Sequence, residues 1–160
     1  MATALSNLSA FDKEEVPSGE NYAIAVVVAE WNQQITENLF LGAKEALIEC
    51  GVKEENILRS NVPGSFELVF GAKKALEKEV DAVIVIGSVI QGETKHFDFV
   101  CQGVTQGIVS LNLSSNRPVI FCVLTDNTLQ QAIDRSGGQH GNKGVEAAVT
   151  SLKMIALSQQ

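Results

Sequence analysis

One of the two histidines of the chain, His96, lies in a polar segment that directly follows a run of apolar residues. The run is AVIVI, residues 82–86, and the next segment reads GSVIQGETKHFDFV, residues 87–100. Such a run is typical of a buried strand, and α/β proteins bind their ligands at the carboxyl ends of parallel strands. An imidazole, with an ordinary pKa of about 6.5, suits proton transfer near neutral pH. We interpret His96 as a candidate general acid–base, against the alternative of a solvent-facing histidine in the first turn of a helix.

A second polar cluster surrounds the segment GGQHGNKG, residues 137–144, just before the last predicted helix. Arg135, Lys143 and His140 bring positive charge to flexible glycines and to a helix N-terminus, a combination that suits an anion such as phosphate. The segment is not a P-loop, since no glycine precedes Lys143 and no serine or threonine follows it. A glycine-rich helix junction with two solvated cations explains the same residues, and both interpretations stay open.

Two further loops carry large aromatic residues at predicted strand ends. Trp31 lies in AEWN after the first strand, and Phe66 lies in VPGSFE after the second. Core packing does not require either ring there, whereas a planar ligand can stack on them. Ser65 is predicted to cap the next helix, and Glu67 to complement its dipole.

The elements that position these loops alternate along the chain. Strands are predicted at residues 22–29, 57–62, 82–87 and 118–124, and each is followed by helical periodicity. The first, third and fourth of these strands are apolar. A short helix is predicted at residues 129–135, Gly51 is expected to end the first long helix with a positive φ, and Asn142 to cap the last helix. The fold class is therefore α/β, a three-layer α/β/α sandwich around a four-stranded, mainly parallel sheet.

Composition bounds the class of protein. With 160 residues, 45% hydrophobic, the chain fits one domain at residues 21–160 behind an N-terminal arm at residues 1–20. A net charge of -7 without a basic stripe argues against nucleic-acid and membrane partners. Three dispersed cysteines, expected in the core, argue against disulfides and zinc. No secretory signal or membrane span is apparent, so a cytoplasmic protein is expected.

Taken together, five motifs resemble the lumazine synthase family over most of the chain. They are AEWN from Ala29, VPGSFEL from Val62, GSVIQGETKHFDFV from Gly87, FCVLT from Phe121 and QAIDRSGGQHGNKGVEAA from Gln130. The resemblance implies a flavodoxin-like sandwich and a transferase of riboflavin biosynthesis. The implied reaction joins 5-amino-6-(D-ribitylamino)uracil and 3,4-dihydroxy-2-butanone 4-phosphate, giving 6,7-dimethyl-8-ribityllumazine, phosphate and water. It implies no organic cofactor and no metal.

The resemblance also implies roles for individual residues. His96, Arg135 and Lys143 would be catalytic, with His96 as the proton-transfer residue. Substrates would be bound by Trp31, Ser65, Phe66, Glu67, Ser88, Val89, Ile90, Glu93, Thr94, Phe121, Arg135 and Glu146. In this set Trp31 stacks on the pyrimidine, while Glu93 and Thr94 hold the phosphate together with Arg135. Trp31 stands where the family often has Phe, and Glu30 where it often has Arg.

Assembly follows from the same resemblance. Phe121, Arg135 and Lys143 would come from a neighbouring subunit, so a homopentamer is expected. The short turn at residues 137–141 lacks the insertion associated with isolated pentamers, which favours an icosahedral capsid of 60 subunits.

Two other classes of protein remain to be weighed. A module that binds a flavin or a purine-like ligand, such as a shell-forming container, fits the same fold but has no need of both His96 and Arg135. A phospho-receiver domain requires an aspartate at the end of a central strand, and the third predicted strand ends in Gly87 and Ser88.

Overall fold

The computed structural model describes residues 7–160, in which helices and strands alternate in the predicted order. The strands are β1 Ile24–Ala29, β2 Ile57–Val62, β3 Ala82–Ile90, β4 Val119–Asp126, β5 Ser136–Gly138 and β6 Gly141–Asn142. The helices are α1 Gln33–Glu49, α2 Leu68–Leu76, α3 His96–Ser114, α4 Leu129–Arg135 and α5 Lys143–Ser158. Single 3-10 turns occur at Lys13–Glu15 and Glu54–Asn56.

The main sheet has the strand order β2-β1-β3-β4, and every pair in it is parallel. Helices α1, α4 and α5 contribute to one apolar core against the sheet, and α2 and α3 to the other. Each crossover helix must cover one face of a parallel sheet, which yields three layers. The predicted α/β/α sandwich with its flavodoxin-like architecture is confirmed.

The central strands are apolar because both of their faces are covered. All six residues of β1 are buried, as are the first seven of β3. Residues alternate between the two cores, so that Ile84 packs beneath α1 and α5 while Val83 packs beneath α2 and α3. The continuous apolar runs in the sequence are therefore the expected pattern for strands of a buried parallel sheet.

The predicted helix boundaries follow from local hydrogen bonds. Gly51 has a φ of 98°, and its N–H donates to the carbonyl of Ile48 while Val52 donates to Leu47, which ends α1. Asn142 caps α5, its side chain accepting from the N–H of Gly144 at 2.8 Å. Both expectations are confirmed, and α4 has the predicted bounds.

Two strands extend beyond their predicted limits, and one small ribbon was not predicted. Strand β3 continues to Ile90 and β4 to Asp126, because the two strands stay paired up to that point. Strands β5 and β6 pair antiparallel around a turn with positive φ at Gly137 and Gly141. The polar segment before His96 is therefore shorter than expected, since its first four residues are still strand.

Residues 7–23, which precede β1, pack against the sandwich. The N–H of Leu8 donates to the carbonyl of His140, the N–H of Asn142 donates to the hydroxyl of Ser9, and Phe11 packs against the core. Of the predicted N-terminal arm, residues 1–6 lie outside the described residues.

The three cysteines are unpaired. Cys50 and Cys122 are buried as predicted, and burial raises the pKa of the Cys122 thiol to about 12. Cys101 was expected in the core as well, but it is only half-buried on α3. Helix α3 buries only Val104 and Ile108 fully, so its other apolar residues reach the surface.

Candidate functional site

A cavity of about 540 Å³ opens where β1, β2 and β3 end. The loops that follow these parallel strands emerge at the same edge of the sheet, which makes this edge the usual ligand site of the architecture. Its size falls within the range of small-molecule sites. Its lining consists of residues from those strand ends and from the start of α3, namely Trp31, Asn32, Pro63, Gly64, Ser65, Phe66, Glu67, Ser88, Val89, Ile90, Gly92, Thr94, His96, Phe97 and Val100.

Trp31 forms one wall of this pocket and is 73% exposed. The ladder between β1 and β2 continues past β1, with the N–H of Trp31 donating to the carbonyl of Pro63 at 3.1 Å. The next residue, Asn32, has a left-handed backbone with φ 58°, a conformation that asparagine tolerates better than most residues. Its amide donates to the carbonyl of Ser88 at 2.9 Å. Asn32 thus ties the Trp31 loop to β3, a role that the motif AEWN did not reveal.

Residues 63–67 form the facing wall. Ser65 does not cap α2 as predicted, because the residue at the cap position is Glu67 and no side chain makes a capping hydrogen bond there. Ser65 is instead buried against β3, where a Cβ on Gly87 would lie 2.6 Å from its hydroxyl oxygen. Phe66 is 58% exposed and lies on α3 at Gly103, so close that a Cβ there would come within 2.6 Å of its ring.

The end of β3 forms the floor of the pocket. Strand β3 pairs with β1 only as far as Ile86, so Val89 and Ile90 border the pocket without a partner strand on that side. Ser88 is 1% exposed, and its hydroxyl has no hydrogen-bond partner among residues 7–160. Buried hydroxyls are nearly always paired, so an orphan at a pocket floor indicates a ligand or water position.

His96 is the first residue of α3 and is exposed at the pocket. Its backbone N–H lies 3.4 Å from the hydroxyl oxygen of Thr94, and the cap position is held by Lys95 without a side-chain cap. The first N–H groups of a helix lack partners within the helix and attract anions. The imidazole, the Thr94 hydroxyl and this helix start therefore border the same space, whereas Glu93 is exposed in the loop and does not line it.

Three of the expected site residues lie elsewhere in the subunit. Phe121, Lys143 and Glu146 line a second, larger groove of about 1170 Å³ beside the edge strand β4. There the Lys143 ammonium donates to a Glu146 carboxylate oxygen at 2.7 Å. The structure thus brings together the expected residues from Trp31 to His96, apart from Glu93, and separates them from this second group.

Arg135 lines neither cavity and ends α4. One of its terminal nitrogens, Nη1, donates to the carbonyl of Gln131 at 3.0 Å, and its Nε lies 3.9 Å from Oδ1 of Asp126. Asp126 is buried at the end of β4, and burial raises the pKa of its carboxyl group while Arg135 opposes that rise. Our sequence interpretation missed Asp126, although an acid ending the run VIFCVLT was a visible signal.

Residues 7–160 contain no group of three His, Cys, Asp or Glu side chains placed to hold a metal ion. In the same part of the chain, every helix is too short or too polar to cross a bilayer.

The chain as a whole is similar to known proteins. A family model described as 6,7-dimethyl-8-ribityllumazine synthase matches residues 21–159. A Flavobacterium johnsoniae protein of that name is 62% identical over 161 residues, covering 100% of this chain and 85% of the relative. Proteins of the same name from Christiangramia forsetii and Parabacteroides distasonis are each 57% identical over 159 residues. The first match covers 98% of this chain and 95% of the relative, and the second covers 99% of both. The chain therefore belongs to the 6,7-dimethyl-8-ribityllumazine synthase family.

Proposed function

We propose that this chain condenses 5-amino-6-(D-ribitylamino)uracil with 3,4-dihydroxy-2-butanone 4-phosphate, and that each site is shared by two subunits. The product is the one that the family name gives, and the reaction is a transferase step of riboflavin biosynthesis. One observation carries the shared site: the pocket is lined by an imidazole and a carboxylate but by no lysine or arginine of residues 7–160. A phosphorylated substrate calls for a cation, which a second subunit can supply.

The pocket suits the ribityl-pyrimidine. Trp31 offers an exposed ring for stacking on the planar pyrimidine, and Phe66 borders the same space. The Ser65 and Ser88 hydroxyls and the backbone at Val89 and Ile90 offer hydrogen bonds to the pyrimidine edge and the ribityl chain. Glu67 completes this set at the start of α2.

The start of α3 suits the second substrate and its phosphate. The helix N-terminus and the Thr94 hydroxyl provide donors, and Arg135 of a neighbour supplies the positive charge. His96, at the same end of the helix, moves protons during imine formation, phosphate loss and ring closure. The substrate amine is itself the nucleophile, so alignment of the two reactants supplies much of the acceleration and the chemistry calls for no cofactor or metal.

The neighbouring subunit contributes its β4 edge. Phe121 and the Lys143–Glu146 pair line a groove on that edge, away from the pocket, which suits a head-to-tail contact between the groove of one subunit and the pocket of the next. Lys143 then joins Arg135 beside the phosphate, with Glu146 holding its ammonium group.

Exposed apolar side chains support a closed ring of subunits. Phe70 of α2 is exposed, as are Phe99, Val109 and Leu113 of α3, the last at 85%. Such a set on one pair of helices is typical of a surface that packs against another chain. Head-to-tail contacts close into a ring when the rotation fits, and we propose a pentamer. The short turn between β5 and β6 is compatible with further assembly of twelve pentamers into a hollow 60-subunit shell.

We also place the protein in the cytoplasm. Its three cysteines are unpaired, which fits a compartment that keeps thiols reduced.

The direct test is to incubate the purified protein with both substrates and follow the absorbance and fluorescence of the lumazine product. We expect product and inorganic phosphate to appear in equal amounts. Binding of the pyrimidine without product would identify a binding module and refute the proposed activity. Light scattering tests assembly: five chains of 17.1 kDa give about 86 kDa and sixty give about 1026 kDa. A fully active 17.1 kDa species would refute the shared site, and a stable 86 kDa species only the shell.

A further inference from the structure

A buried acid stands behind the arginine that we assign to the phosphate. Asp126 ends β4 and its side chain is 8% exposed, while that of Arg135 is 32% exposed. Oδ1 of Asp126 lies 3.9 Å from Nε of Arg135, and Oδ2 is fully buried with no hydrogen-bond partner among residues 7–160. A buried carboxylate with an unsatisfied oxygen is costly, so its presence calls for an explanation.

The backbone around this pair is held in place. Thr128 caps α4 by accepting from the N–H of Gln131 at 3.3 Å, and the N–H of Asn127 donates to the Gln131 side chain at 2.8 Å. Helix α4 begins three residues after Asp126 and is thereby fixed to the end of β4. The Asp126 carboxylate and the backbone of Arg135 therefore belong to one rigid unit.

The contacts leave one edge of the Arg135 guanidinium available. Nη1 donates to the carbonyl of Gln131, and Nε faces Asp126. Nη2 has no acceptor among the described residues, so its donors and the second hydrogen of Nη1 remain for a ligand. Since Asp126 approaches the guanidinium at Nε, the outer end formed by Nη1 and Nη2 is left for a phosphate.

We infer that Asp126 is a positioning residue for phosphate binding, which holds the guanidinium of Arg135 with its free edge towards the phosphorylated substrate of the adjacent site. This rests on the proposed role of Arg135. Ordering a long side chain before the ligand arrives removes part of the entropy that binding would otherwise lose. For one such side chain the effect on affinity is roughly 2- to 12-fold.

The test compares Asp126→Asn with Asp134→Asn, a matched control on α4 that removes an acid with no ion pair to Arg135. We expect Asp126→Asn to raise KM for the butanone phosphate and the inhibition constant of inorganic phosphate by about 2- to 12-fold. The KM for the ribityl-pyrimidine and kcat should change less than about twofold, and Asp134→Asn should change none of these. A general structural role would instead alter both KM values together.

Two further variants keep the inference falsifiable. Asp126→Ala removes the buried unsatisfied oxygen altogether, so this variant should fold even if Asp126→Asn does not. It should give the same selective rise in KM for the butanone phosphate. In an Arg135→Ala background, Asp126→Asn should have no additional effect. The inference is wrong if Asp126→Asn or Asp126→Ala tightens phosphate binding, or leaves it unchanged while Arg135→Ala weakens it. If Arg135→Ala leaves phosphate binding unchanged, the proposed phosphate site fails and this inference fails with it.

Discussion

Replacing Arg135 by alanine should weaken binding of the butanone phosphate far more than binding of the ribityl-pyrimidine. The guanidinium has one terminal nitrogen, Nη2, without an acceptor among residues 7–160, so the expected contact is a charge-assisted hydrogen bond to a phosphate oxygen. Such a bond contributes about 1.5 to 3 kcal/mol. Since about 1.4 kcal/mol corresponds to a tenfold change, KM for the phosphorylated substrate should rise by roughly 10- to 150-fold.

The assay measures KM for each substrate with the other at saturation, together with inhibition by inorganic phosphate. Phosphate should compete in the parent protein and scarcely in Arg135→Ala. Arg135→Lys should lie between the two, since an ammonium keeps the charge but not the planar fork. Arg59→Ala is the matched control, because Arg59 pairs with Glu37 outside both cavities and carries the same charge. An equal rise of both KM values in Arg135→Ala would refute the reasoning and indicate a structural arginine.

Three further predictions concern proton transfer, packing and pH. His96→Ala should lower kcat by about 10² to 10⁴ without abolishing turnover, and an unaltered kcat at neutral pH would exclude His96 from the mechanism. Gly144→Ala should lower the free energy of unfolding by about 3 kcal/mol, because the new Cβ would lie 1.9 Å from a backbone carbonyl oxygen of α1. Gly92→Ala is the control, since a Cβ at Gly92 would have nothing within 4 Å, and it should leave the thermal melt nearly unchanged. Hydrogen bonds from Arg59 lower the pKa of Glu37. The pair therefore stabilises the folded protein by about 0.5 to 1 kcal/mol above the ordinary carboxyl pKa, and this stabilisation is lost as pH falls through the lowered pKa. Glu37→Gln should therefore reduce stability at pH 7, and the difference from the parent should vanish in acid urea titrations.

Local chemistry was enough to predict most of the fold. Continuous apolar runs require strands covered on both faces, and the alternating helices then dictate a parallel sheet. Gly51 and Asn142 mark helix ends through φ and through side-chain capping, both of which depend on neighbours in sequence. The ribbon of β5 and β6 was missed because its strands, SGG and GN, are too short and too polar to show the alternation that predicts a strand.

The part of the candidate site that lies within one subunit was largely predicted from the sequence. Strand-end loops bring Trp31, Phe66 and His96 to one pocket, as the parallel topology requires. Ser65 was misread as a cap because its proximity to Gly87 depends on how β2 and β3 loops meet in space. Asp126 was visible as the acid that ends the run VIFCVLT, but only the folded structure shows that its carboxylate is buried 3.9 Å from Nε of Arg135.

The most direct test of the shared site is complementation between two variants that damage opposite halves. One chain carries Trp31→Ala with His96→Ala, the other Arg135→Ala with Lys143→Ala, and each alone should be nearly inactive. In a head-to-tail ring assembled from equal amounts of both, about one quarter of the sites join an intact pocket to an intact neighbour. Co-expressed and co-purified, the pair should therefore regain about a quarter of the parent rate per site, measured at butanone phosphate concentrations near the parent KM. Activity no greater than the sum of the two separate variants would contradict a site built between subunits.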